Sequence, residues 1–486
     1  VTDLVWLASA PVLLPLVTLA VTAALAHRPR AQATTSRLGT LALLACAVAL
    51  VGIAAGGETL VVRFGNWPAP FAIEFRVDRL AAVMIAAVAL LTSLVLTMPM
   101  RGAGLAAPWL QPLVQGLLAG VGGVCVTADL FNLYVWFEVM LISALGLIVL
   151  GRQPQHLEAG FKYLVLNLVG TLLLLVAVAA LYGATGQLNY AAIGAALGSN
   201  PTARADALVV LLLLSLLTKT AAFPFLAWLP ASYPALGAPV LALFSGLVTK
   251  AGAFAVLRIT AEIYPAGTAT LLPGLGWLAA LTMMVGVMGA AYHYDTRRIL
   301  AFHSVSQIGY ILLGIALGTT LGITAAMFFI LHHAFVKATL FIIGGLAARH
   351  TGSHDLRRSG GLWTSQPALA ALFALSAAAL VGLPPLSGFW AKLLVIRASF
   401  GAGQYAWGGM ALAVGGLTLY SMIKVWIEAF WKPHPAGTSP PTAPLAWTTW
   451  ASAIGLTAVA LAMGLAPEPL IEYLQAGAMV PARTAP

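Results

Sequence analysis

Between Leu130 and Leu150 the chain is apolar with one charged exception, the carboxylate of Glu138. A stretch this long and this apolar spans the hydrocarbon core of a bilayer as a helix. Inside lipid a backbone must satisfy its own hydrogen bonds, so only helices and closed barrels cross. A charged side chain near the centre of such a helix costs ~2.5–3.5 kcal/mol on insertion scales. Glu138 therefore needs a partner. It is either a hydrogen-bonded acid that only locks helices together or an acid with a function.

The rest of the chain has the same character. Of 486 residues, 61% are hydrophobic and 8% charged, and the mean hydropathy is +0.96. Soluble domains carry about 25% charged residues, so the reading is an all-α polytopic membrane protein forming one integral membrane domain, 1–486. The net charge of +10 is scattered through loops rather than gathered into a patch. That argues against nucleic acid and matches the loop bias of a membrane protein. Cys46 and Cys125 lie in apolar segments without ligand spacing, so no disulfide, metal or iron–sulfur site is expected. No redox cofactor motif is present.

Fourteen spans are expected, at 4–26, 38–56, 79–98, 109–127, 130–150, 161–182, 206–229, 239–260, 274–292, 298–317, 322–348, 367–394, 405–430 and 445–465. The first is long for a cleaved leader and is followed by basic residues, so it reads as a retained helix that starts outside. Alternating the loops then puts Arg28, Arg30, Arg37, Arg101, Arg152, Arg297, Arg298, Arg349, Arg357, Arg358 and Lys432 on the cytoplasmic face. Arg63, Arg76, Arg79, Arg204, Arg397 and Arg483 fall outside, partly offset by acids there. The bias places both termini outside. Arg63–Asp78, with Gly65 and Pro68, reads as a short β-hairpin over the outer face. The weakly amphipathic 187–200 reads as a surface segment.

Helices 7 and 12 are broken. In LLSLLTKTAAFPFLAWLP, Pro224 follows Lys219 by five residues; in ALVGLPPLSGFWAKLLV, Pro384, Pro385 and Gly388 precede Lys392. Proline frees backbone groups that protein or water must satisfy again, and paired interruptions point to inverted-repeat transporters. Lys219 is followed 31 residues later by Lys250, and Lys392 by Lys424 after 32. Helices 4–8 (109–260) and 9–13 (274–430) contain five helices each, and an odd number inverts the second set. Segments 1–98 and 445–465 flank them.

The ionisable residues within spans are Glu138, Lys219, Lys250, His332, His333, Lys337, Lys392 and Lys424, with His303 near the start of its span. A lysine removed from water can gain and lose a proton near neutrality, as a relay requires, and histidine starts closer to that condition. Such a row suggests proton movement along the membrane as well as across it. Snorkelling towards a helix end competes for Lys392 and Lys424, and Glu428 offers Lys424 a surface pair at i+4. His333 and Lys337 share a helix face, whereas His332 points elsewhere and could simply pack or hydrogen-bond. Ser215, Thr218, Thr220, Ser245, Thr249, Ser304, Ser306 and Ser387 could order water along the row. No nucleophile elbow, phosphate loop or metal-ligand set competes.

Taken together, DLFNLYVWFEVMLIS (129–143), LTKTAAFPF (217–225), AFHSVSQIGYILLGIALG (301–318) and LHHAFVKATLFIIGG (331–345) resemble the proton-conducting, antiporter-like membrane subunit family. That family includes subunits of respiratory complex I, of membrane-bound hydrogenases and of multisubunit Na+/H+ antiporters. GNWPAPFAIEFRVDRLAA (65–82), YSMIKVWIEAFWKP (420–433) and the length look most like the D-type subunits of Mrp antiporters. The resemblance implies two inverted five-helix half-channels. It implies an acid–lysine pair at Glu138 and Lys219, a central lysine at Lys250, an HAxxKA pattern at His333 and Lys337, and a terminal lysine at Lys392. Breaking the acid–lysine pair would push a proton towards Lys250. The implied function is proton translocation in a Na+/H+ antiporter of the bacterial cytoplasmic membrane, with other subunits as partners and no cofactor. Such a chain is a transporter rather than an enzyme. The alternatives are a pump subunit of a redox-driven complex and a non-transporting scaffold.

Overall fold

The structure is a computed structural model that describes residues 2–67, 72–99, 108–199, 203–263, 268–435, 437 and 446–478. Pro68, Arg101, Arg483 and the last eight residues, on which the outer C-terminus rests, lie outside these. Among the described residues ten helices are long and apolar enough to cross a membrane. Shorter apolar helices stand beside them.

A 3-10 turn, Thr2–Ser9, leads into α1 (Ala10–Ala24), followed by α2 (Pro29–Ala55). Strands β1 (Leu60–Arg63) and β2 (Glu74–Val77) pair antiparallel, Leu60 opposite Val77 and Arg63 opposite Glu74. Then come α3 (Arg79–Leu96), α4 (Leu110–Val126), α5 (Leu130–Val149), α6 (Pro154–Thr185), α7 (Tyr190–Ser199), α8 (Ala203–Thr220), α9 (Trp228–Ser232) and α10 (Ala238–Glu262). The second stretch holds α11 (Thr268–Tyr292), α12 (Thr296–Ala316), α13 (Thr320–Thr351), α14 (Leu362–Ser365), α15 (Pro367–Val381), α16 (Ser387–Gly401) and α17 (Tyr405–Val425). A π-helical turn, Trp426–Trp431, extends α17, and α18 (Trp447–Leu465) and α19 (Glu468–Ala478) close the chain.

Two helices begin earlier than hydropathy suggests. Helix α2 starts at Pro29 rather than 38, with proline at a first-turn position where its missing N–H costs nothing. Its buried polar residues are paired: Gln115 Nε2 donates to Ser36 Oγ at 2.9 Å and to Thr40 Oγ1 at 3.0 Å. Helix α6 likewise starts at Pro154 and runs to Thr185, where Gly186 at φ +66° ends it. Helices α10, α12 and α13 are buried along nearly their whole length, whereas α1, α2, α6 and α18 turn apolar faces outward.

The two expected interruptions differ in detail from single bent spans. Helix α8 stops at Thr220, and Ala221 takes a left-handed φ of +60°. A β-carbon in that region is strained by about 1–3 kcal/mol. Pro224 lies in the turn before α9. Helix α15 stops at Val381, Gly382 takes φ +95°, and Pro384 and Pro385 occupy the turn. Gly388 is not in this turn but in the first turn of α16.

One set of backbone contacts occurs twice, with the second copy 166 positions later. Leu130 N donates to Leu188 O, and Thr296 N to His354 O; Tyr190 N donates to Ala128 O, and Leu356 N to Tyr294 O. Asp129 bridges to Asn189 as Asp295 does to Asp355. A Cβ on Gly120 would meet the backbone of Met140, and one on Gly286 the backbone of Ser306. At the interruptions the interval shortens to 161: Ala222 N donates to Leu217 O, and Leu383 N to Ala378 O.

Candidate proton pathway

The nine ionisable residues that the sequence points to converge on one core. Lys250, His303, His332, His333 and Lys337 have no exposed surface, and Lys219 and Lys392 are buried. Lys424 and Glu138 are half-buried. Burying a charge is costly unless it is paired and hydrogen-bonded, so the contacts of each matter.

Lys219, at the end of α8, is not in ion-pair contact with Glu138: none of the ion pairs among the described residues joins them. Its ammonium donates instead to α6, to the main-chain carbonyl of Asn167 at 3.0 Å and to Thr171 Oγ1. The ring of Phe137, next to Glu138, lies 6.0 Å away, and the Glu138 carboxylate acts on Lys219 electrostatically. The structure therefore holds the acid and the lysine near each other with the direct contact open. Helices α8 and α10 meet here, since a Cβ on Gly252 would lie 3.0 Å from the carbonyl carbon of Lys219.

Lys250, in the middle of α10, donates to Ser245 O and to Thr249 Oγ1, the latter at 3.3 Å. His333 faces both Lys250 and Lys337 electrostatically, and neither ring nitrogen has a protein partner. Lys337 donates to Leu300 O at 2.6 Å and lies 5.0 Å from the Phe341 ring centre. His332 shares a hydrogen bond with Ser387 Oγ at 2.8 Å, which ties α13 to the start of α16. It lies within the fields of Lys392 and Lys250. It is thus a bridge between elements rather than an isolated packing group. Lys392 donates to Val381 O at 2.7 Å and sits 5.2 Å from the Tyr310 ring. That carbonyl ends α15, where helices leave acceptors unsatisfied and favour positive charge.

Lys424 follows the same logic at the end of α11. It donates to Ala291 O at 2.6 Å and His293 O at 2.7 Å. The surface pair expected with Glu428 is not made; Glu428 pairs with Lys432 at 2.6 Å. His303 meets Ser421 Oγ, on the helix of Lys424, at 3.0 Å. A cavity of about 150 Å3 opens beside the row, lined among others by Arg297, His354, Leu300 and Phe341. The last two flank Lys337.

Hydrogen-bond registration revises one pairing drawn from spacing. With the interruptions aligned, Lys219 falls two residues before the left-handed residue and Lys392 ten residues after it. The two lysines are therefore not equivalent positions, although each is followed by a lysine at nearly equal spacing. Likewise, Phe137 and Glu138 align with His303 and Ser304, so the second copy has a histidine and no acid there.

Other neutral polar residues, Gln307, Asn167 and Thr171, are not singled out by the sequence reading. Gln307 is fully buried, with neither side-chain atom partnered by protein. It follows His303 by one helical turn, a spacing that could have flagged it. Asn167 and Thr171 stand in the same relation on α6. Arg258, near the end of α10, is buried and bound to Asp78 and Glu262.

These features define a class: a polytopic helical membrane protein with ionisable groups buried in its core. The profile of the NADH:quinone oxidoreductase/Mrp antiporter transmembrane family matches residues 127–418. The D-type Na+/H+ antiporter subunit of Alkalihalophilus pseudofirmus is 38% identical over 85% of this chain and 84% of its own. Its counterpart in Bacillus subtilis is 33% identical over 82% and 83%. A chain in the Mrp complex of a Dietzia species superposes with a TM-score of 0.91 at 34% identity, covering 98% of both chains. A chain of Thermus thermophilus respiratory complex I, at 24% identity and a TM-score of 0.83, shares the fold over 99% of both. The chain belongs to the NADH:quinone oxidoreductase/Mrp antiporter transmembrane family.

Proposed function

We propose that this chain is the proton-translocating subunit of a multisubunit Na+/H+ antiporter in a bacterial cytoplasmic membrane. Protons move through Glu138, Lys219, Lys250, His333, Lys337 and Lys392, with His332, His303 and Lys424 branching from the row. The observation that carries this reading is the buried cluster on α10, α13 and α16, in which the fields of Lys250, His333, Lys337, His332 and Lys392 overlap, with Lys219 of α8 packed against α10 at Gly252. Unpartnered nitrogens on His333, His332 and His303, with Gln307, supply polar sites that ordered water can join. The cavity beside Lys337 provides a route to one membrane face. Glu138 acts as the switch: when it takes up Lys219 the proton stays, and when the pair opens the proton passes towards Lys250.

In this reading fourteen helices cross the membrane, both termini lie outside, and 109–260 and 274–430 are inverted repeats. The doubled contact set at a 166-residue interval supports the repeats. The decisive test is antiport in everted vesicles carrying the whole complex. Glu138→Ala and Lys219→Ala each abolish it while the complex still assembles; full antiport in either variant refutes the assigned roles.

A chain of a membrane-bound sulfane sulfur reductase is 26% identical over 98% of this chain, which favours a redox-driven complex as the second reading. Purified native complex containing flavin or iron–sulfur centres would select it.

A further inference from the structure

We infer that the Asn167 main-chain carbonyl and the Thr171 hydroxyl form a seat that holds the Lys219 ammonium away from Glu138 between proton transfers, making Thr171 a positioning residue for transport. The inference rests on the proposed role of Lys219 as a proton carrier.

The geometry is specific. Thr171 Oγ1 donates to Asn167 O at 2.9 Å while accepting from Lys219 Nζ, and the same carbonyl accepts from Lys219 at 3.0 Å. Threonines in helices often turn the hydroxyl back to the carbonyl four residues earlier, and Thr324 and Thr339 do so here. Thr171 differs because that turned-back hydroxyl also receives an ammonium from another helix. The Asn167 side chain is occupied elsewhere, its Nδ2 donating to Tyr163 O at 3.0 Å. The acceptors that Lys219 uses are the carbonyl and the hydroxyl.

Helix approach supports the seat. Gly170 lies beside Thr171, and a Cβ there would fall 1.9 Å from Thr218 Oγ1. Glycine at 170 lets α6 come close to the last turn of α8, next to Lys219. The 166-residue interval adds a second argument. It carries Asn167 to His333 and Thr171 to Lys337, so the same helix face holds ionisable groups in the other copy. In the first copy that face has only neutral acceptors, and the charge is delivered to it by Lys219. Two neutral acceptors can hold the lysine without competing for its proton as a carboxylate does. A lysine with two addresses, Glu138 and the seat, is the two-state element a switch requires.

The test is antiport by the assembled complex in everted vesicles, with assembly followed by immunoblot. Thr171→Val keeps the shape and removes the hydroxyl, and it slows antiport about tenfold, the worth of one hydrogen bond to a charged group. Thr171→Ser restores the rate. Wild-type antiport in Thr171→Val, or equal losses in the valine and serine variants, overturns the seat. Full antiport in Lys219→Ala instead overturns the carrier role on which it rests. If Thr171→Val fails to assemble, a cryo-EM map of the wild-type complex decides. Lys219 density within hydrogen-bonding distance of Thr171 supports the seat, and density only at Glu138 overturns it.

Discussion

Replacing Arg258 with methionine should damage this protein more than replacing any single surface charge. Arg258 is 8% exposed and holds Asp78 with both terminal nitrogens, at 2.5 and 2.7 Å, and Glu262 at 2.9 Å. Arg76 takes the other oxygen of Glu262. The cluster fastens the segment after β2 to the end of α10, the helix that carries Lys250. Methionine fills most of the space but strips Asp78 of its hydrogen-bonded counter-charge, leaving only the field of Arg76, and removing one partner of a buried pair costs up to ~3–5 kcal/mol. Adding Asp78→Asn removes the stranded charge and keeps an oxygen to cap α3, where Ala81 N donates to Asp78 Oδ1 at 2.9 Å. The double variant should therefore recover part of the loss. Thermal unfolding of the detergent-solubilised complex reads both. A methionine variant as stable as wild type, or a double variant worse than the single, refutes the argument. The pH dependence has a definite sign. Burial is the largest single influence and would raise the Asp78 carboxyl, but the charge and hydrogen bonds of Arg258, with Arg76 and the Ala81 N–H, together outweigh it and hold the group below the usual carboxylate range. Stability from the pair is then full above about pH 4, the unfolded value, and is lost as pH falls through the folded one. Arg258→Met should flatten that acid loss.

Two further outcomes are expected. Gly388→Ala would put a Cβ 1.7 Å from Ala379 O and 2.9 Å from His332 Cε1; it forces α15 and α16 apart, costs about 1–3 kcal/mol and slows antiport in complexes that still assemble, and unchanged melting and rate count against it. Lys424→Met removes the cation from the end of α11 and costs about 1 kcal/mol, whereas Lys424→Arg keeps the cation without a releasable proton; arginine should restore thermal stability but not antiport, and full antiport in Lys424→Arg removes Lys424 from the pathway.

The membrane class and the positions of the buried lysines and histidines could be read early because lipid penalises charge so heavily that few spans carry any. The hairpin, the interruptions and the family motifs followed from proline, glycine and charge in the same way. Partners were harder to read. A hydropathy window cannot tell that Lys219 reaches α6 rather than Glu138, because that depends on how closely Gly170 lets two helices approach. Neutral groups such as Thr171 and Gln307 cost little to insert, so hydropathy does not mark them, and only the spacing of Gln307 from His303 hints at one of them. Arg258 escaped notice because it lies one turn from a span end, where arginines ordinarily face water. Lys219 and Lys392 looked equivalent because each precedes another lysine by 31 or 32 residues, but the hydrogen bonds at the interruptions register the two copies 161 residues apart, not 173.

The two interruptions are also clamped. Gly252 of α10 presses on the backbone at Lys219, and Gly464 of α18 leaves no room for a Cβ against Pro385, Leu386 and Ser387. Each gap in a helix is filled from the side by a neighbour's bare backbone, and so has little mechanical play. In the proposed pathway the moving parts are then single side chains turning in place beside fixed helix ends, Lys219 foremost among them. Speed and directionality must then come from the order in which those side chains turn.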